Sequence, residues 1–115
     1  MAQSIRWVIR GRQGRVPCSF KWPIITARSV VHVTAAEVAF GTTSRPAVSP
    51  GQDFFYKDGA ANVWVSNISP HRNEFINAPG SVFFYVHIDW DSPLDVAITI
   101  TVEDNIPVEI QGYLP

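Results

Sequence analysis

The sequence predicts an all-β domain, a single antiparallel β-sandwich or jelly roll of about eight short strands. Three observations carry that expectation. Apolar and polar residues alternate with a period of two through much of the chain. Gly, Pro, Asn and Asp interrupt the alternation at short intervals, as turns do. No window of useful length shows helical spacing, apart from a weak turn near Ala35–Ala39. With 115 residues, 46% hydrophobic and 17% charged, the chain is long and apolar enough to pack one core. One domain, 1–115, is therefore expected, its residues 1–28 forming a basic strand and irregular segment.

Taken in order, Ser4–Arg10 places Ile5, Trp7 and Ile9 on one face and Arg6 and Arg10 on the other. Arg10–Arg15 (RGRQGR) reads as a glycine-assisted turn, and Pro17 and Pro23 mark an irregular stretch or a sheet edge. Val31 and Val33 begin a strand that continues through Val38 and Phe40. Gly41–Gly51 is a loop by composition, Phe54–Tyr56 a short strand, and Asp58-Gly59 a hairpin-type turn signal. Ala61–Ser66 is the next strand, and Asn67–Gly80, with two prolines, reads as a long connection. Ser81–Trp90 sets Val82, Phe84, Val86, Ile88 and Trp90 against Phe83, Tyr85, His87 and Asp89. Asp95–Glu103 sets Val96, Ile98, Ile100 and Val102 against a polar face. Residues 81–103 thus read as an up-and-back ribbon with an acidic tip, and Val108 and Ile110 open a last strand.

Charge is segregated although the net value is only −1. Residues 1–28 carry +6 from Arg6, Arg10, Arg12, Arg15, Lys21 and Arg28, and the remainder carries −7. A basic segment of this kind can lie on an acidic neighbouring subunit, contact phosphates, or simply protect a sheet edge. Arg6, Arg10, Arg12 and Arg15 are the expected interface residues of a homo-oligomer. Nucleic acid is the least favoured partner, because the acidic remainder would repel a polyanion. No run is long and apolar enough for a spanning helix, and the arginines interrupt any secretory leader. The single cysteine, Cys18, excludes an internal disulfide, so synthesis in a reducing compartment is expected, with later release left open.

Two clusters could carry chemistry. Asp89, Asp91 and Asp95 fall within one proline-bounded turn, where oxygen ligands at variable geometry would suit calcium better than magnesium. The plainer alternative is that these aspartates bond their own turn backbone. Trp64 and Tyr85 lie opposite the core stripes and are candidate stacking platforms for a sugar, with Trp90 beside the acidic turn. His32, His71 and His87 occur singly, and no nucleophile elbow, phosphate-cradling loop or dinucleotide fingerprint is present, so an enzyme is not expected.

The stretch Val31-His32-Val33-Thr34-Ala35-Ala36-Glu37-Val38-Ala39-Phe40-Gly41 resembles a strand of the small calcium-dependent galactose-binding bacterial lectins. Tyr85–Asp89, the acidic turn, and Ala97–Val102 look like that family's late strand, calcium loop and following strand. The resemblance implies a jelly-roll sandwich and places Asp89 at the calcium-binding aspartate. The family's paired asparagines are replaced by Val96 and Ala97, and its aromatic calcium contact by Phe40, which offers no oxygen. The leading expectation is a carbohydrate-binding, lectin-like sandwich with ligand at Trp64, Tyr85, Asp89, Trp90, Asp91 and Asp95. The alternative is an oligomeric structural protein, such as a virion or shell component.

Overall fold

The computed structural model describes residues 2–40, 54–57, 59–72, 79–103, 106, 109 and 111–112. Within them the chain is all-β, with strands β1 (Gln3–Arg12), β2 (Gly14–Lys21), β3 (Val31–Phe40), β4 (Phe54–Tyr56), β5 (Asn62–His71), β6 (Ser81–Asp89) and β7 (Leu94–Val102). They form a four-stranded sheet, β1-β7-β3-β4, and a three-stranded sheet, β2-β6-β5, antiparallel throughout. One hydrophobic core lies between the sheets. Ile9, Val33, Val96, Ile98, Ile100 and Val102 enter it from one sheet, and Val16, Cys18, Val82, Phe84, Val86 and Ile88 from the other. This is a β-sandwich, as the alternation predicts.

Several local expectations are corrected. Residues 81–103 are not one ribbon: β6 and β7 belong to different sheets, each a central strand paired on both sides. The short Trp90–Pro93 connection carries the chain from one layer to the other. Both strands bury their stripe because the stripes line opposite walls of one core. Trp90 leaves that stripe and is exposed, because β6 ends at Asp89. The turn expected over Arg10–Arg15 contracts to the residues around Gln13, where Gly11 (φ 66°) and Gly14 (φ 75°) adopt left-handed backbone and the chain again changes sheets. Ala35–Ala39 is strand, not a helical turn.

The expected connection Asn67–Gly80 is strand as far as His71. An irregularity between Ser66 and Ser69, with Asn67 at φ 57°, shifts the register and breaks the visible alternation. Pro70 is tolerated because β5 is an edge, as Pro17 is on edge strand β2. The Gly41–Gly51 loop, Asp58 of the Asp-Gly turn, and Val108 and Ile110 lie outside the described residues.

Candidate functional site

The outward face of the three-stranded sheet carries a patch of rings whose placement follows from strand register. Arg15, His87 and Trp64 stand in one row across β2, β6 and β5; Pro17, Tyr85 and Ser66 form the next, and Ser19, Phe83 and Ser69 the one after. Residues paired across antiparallel strands share a face, so alternation along β6 brings His87, Tyr85 and Phe83 out together. Trp64 is 47% exposed and Phe83 50%. Tyr85 and His87 are half-buried between them.

The rings are ordered. Trp64 and His87 stack with centroids 4.8 Å apart and planes within 5°, a pair of parallel rings that bridges two strands. His87 Nε2 lies 2.6 Å from Ser66 Oγ, a hydrogen bond that fixes the imidazole orientation. The Tyr85 ring tilts against His87 at 6.3 Å, and the Arg15 guanidinium sits 4.5 Å over Tyr85, a cation–π contact. At the far end His71 packs edge-on to Phe83 at 5.3 Å and is held by Ser69 Oγ at 2.8 Å from its Nε2. An open pocket of about 200 Å³ lies at the Trp64 end, lined by Gly14, Trp64, His87, Ile88 and Asp89.

Of the sequence-predicted site residues, Trp64, Tyr85 and Asp89 therefore share this face. Trp90 and Asp91 sit exposed in the β6–β7 connection, where the Trp90 carbonyl accepts the Gln13 Nε2–H at 3.0 Å. Asp95 serves the fold: its Oδ1 accepts the Gly11 N–H at 2.9 Å and its Oδ2 lies 3.6 Å from Arg10 Nε. Among the described residues no group of three His, Cys, Asp or Glu side chains comes together to hold a metal, so Asp89, Asp91 and Asp95 do not converge on a cation. Asp95, in β7, is instead a tie to the β1–β2 corner: it bonds the backbone of Gly11 and not that of its own turn.

The arginines expected at an interface lie on regular strands. Arg6 Nε donates to Thr99 Oγ1 at 3.4 Å and its guanidinium reaches the Tyr56 ring, 5.8 Å from the centroid. Arg10 covers the Phe40 ring at 4.1 Å. On that sheet a polar hollow of about 350 Å³ is lined by Arg10, Glu37, Lys57 and Asp95, whose charges pair internally, Lys57 with Glu37 at 3.6 Å and Arg10 with Asp95.

His87, Ser66, Phe83, His71 and Arg15 complete the patch; Ser66 and His71 escape sequence reasoning, and Arg15 is expected there only as an interface residue. The outward set on β6 is legible from alternation. Its meeting with Trp64 depends on the β5–β6 register, for which the chain carries no local signal. The Ser66–His87 contact has nucleophile-to-base geometry, but His87 has no carboxylate partner among the described residues and the pair lies on an open sheet face. No protein-family model, curated protein or solved structure matches the chain.

Proposed function

We propose that this protein is a non-enzymatic carbohydrate-binding β-sandwich whose binding surface is the ring-bearing face of the three-stranded sheet. The observation that carries the reading is the stacked Trp64–His87 pair, its indole half exposed to solvent, with Asp89 lining the same pocket. A sugar presents apolar C–H groups to a ring face while its hydroxyls seek acceptors, and Asp89 offers two such oxygens beside the indole. The serine that orients His87 fixes the platform before ligand arrives, which reduces the ordering cost of binding. Relative to the expectation from sequence, the ligand shifts from the Asp89–Asp95 turn to the sheet. A glycan array followed by affinity electrophoresis tests this. Trp64→Ala, with its β circular dichroism unchanged, is expected to weaken binding about tenfold or more. Retention of full affinity by that variant, or no glycan bound by the parent protein, rejects the reading.

One observation supports self-association as a second reading. β1 is ten residues long, contains no proline and pairs with β7 alone among the described strands. Such an edge can accept a strand from another copy, as a shell-forming protein would require. Sedimentation velocity at high protein concentration decides it: a monomer at both low and high salt excludes assembly through this edge.

A further inference from the structure

We infer that the ligand of the ring-bearing face is an acidic polysaccharide chain lying along β6, its carboxylates directed to Arg15 and Lys21 on β2. The inference rests on the carbohydrate reading above and adds the shape and charge of the ligand. Shape comes from the strand. Outward side chains on β6 recur every roughly 7 Å, so His87, Tyr85 and Phe83 mark out a track of roughly 14 Å, longer than one sugar ring requires. Trp64 widens the track at one end and His71 at the other, both held in ring contact with β6.

Charge comes from the neighbouring edge strand. Arg15 and Lys21 lie in the rows of His87 and Ser81, so they flank the two ends of the track on the same side. Their separation of six residues corresponds to roughly 20 Å. Neither makes an ion pair among the described residues. The Arg15 guanidinium sits 4.5 Å from the centre of the Tyr85 ring, where its N–H donors can serve a bidentate carboxylate contact. The only acid in these rows is Asp89, opposite Asn62 and next to Trp64. In a chain of net charge −1 this face is therefore locally cationic. Aromatic rings flanked by cations also suit single-stranded nucleic acid. Asp89 favours the sugar: a polysaccharide can present hydroxyl groups to its carboxylate and turn its own carboxylates to Arg15 and Lys21, whereas a single-stranded nucleic acid carries a phosphodiester at every step.

Affinity electrophoresis of the whole protein, with polygalacturonate, alginate and hyaluronan, the methyl ester of each, a neutral β-glucan and polyuridylate as probes, tests the inference. At least one acidic chain is expected to bind, and its methyl ester to bind about tenfold more weakly or worse. The double variant Arg15→Gln, Lys21→Gln should lose a larger factor for the acid than for the ester, which narrows the gap between the two ligands. Raised salt should weaken the acidic complex selectively. Equal affinity for acid and ester, or binding of the neutral glucan alone, overturns the acidic ligand and leaves the carbohydrate reading standing. Binding of no glycan in this panel or on the array removes both. Polyuridylate binding more tightly than every polysaccharide overturns the proposal in favour of nucleic acid.

Discussion

A Cβ built on Gly80 would overlap the main-chain carbonyl of Ile25, a residue wholly withdrawn from water, while the Gly80 carbonyl accepts the Trp22 N–H at 2.9 Å. The segment between β2 and β3 thus docks on the entry to β6 through bare backbone, and no rotamer change could make room. Gly80→Ala is expected to cost about 3 kcal/mol, read as a lowered urea midpoint with unchanged slope. Cys18 makes a different kind of prediction. Burial pushes its thiol above the ordinary value of 9.0, with the nearby Arg12 charge pulling the other way and losing. As pH rises past 9.0 the unfolded chain ionises this thiol before the folded chain does. The stability it contributes is therefore complete below 9.0 and is lost as pH climbs through the folded value. Urea titrations between pH 8 and 10 should show that alkaline decline in the parent protein and a shallower one in Cys18→Ala; parallel declines would place the cause elsewhere.

At the scale of elements, the two corners that pass the chain between sheets are tied to each other. Gln13 of the β1–β2 corner bonds the Trp90 carbonyl of the β6–β7 corner, and Asp95 receives the Gly11 N–H and lies beside Arg10. The Arg10 side chain is largely exposed, so the ion pair itself adds little. The charged acceptor on a backbone N–H is the stronger part, and Asp95→Ala should cost about 1–2 kcal/mol, with Arg10→Gln costing less than half as much. A larger loss in Arg10→Gln than in Asp95→Ala would reverse that ranking. These ties also explain what was legible in the chain. Val82 to Ile88 and Val96 to Val102 alternate cleanly because each is a central strand with one face in the core. Alternation reports which face is buried but not whether two consecutive strands pair side by side or oppose each other across the core. The ribbon and the layer crossing therefore look alike in sequence. The second half of β5 was hidden for another reason: the irregularity after Ser66 and the edge-tolerated Pro70 imitate a loop. The rings of the candidate site were half legible. Trp64 and Tyr85 stand out as apolar residues off the core stripe, whereas His87 acquires meaning only when register sets it under Trp64.

For the molecule as a whole, the segregation of charge has a structural meaning that differs from an extended basic arm. Residues 1–28 supply both strands on one flank of the sandwich, β1 in one sheet and β2 in the other, followed by the segment that buries Ile25. The two strands are joined through the core by the Trp7–Phe20 ring contact at 5.7 Å, and Phe20 in turn meets Trp22 edge-on at 6.4 Å. Their arginines reach across the outer faces to Tyr56, Phe40 and Tyr85 on other strands, so cationic groups cover aromatic surface that would otherwise meet water. An arm that served only a neighbouring subunit could be removed and leave a folded monomer. Removing residues 1–12 here strips Ile9 from the core, takes Trp7 from the Phe20 ring, exposes the β7 edge and deprives Asp95 of the Gly11 N–H. Loss of one buried isoleucine alone costs about 2–5 kcal/mol, a large share of the about 5–15 kcal/mol that holds a domain of this size together. The truncated chain is accordingly expected to lose its cooperative urea transition and its dispersed amide spectrum. If it instead unfolded cooperatively near the parent midpoint, β1 would be an appendage rather than a wall of the sandwich.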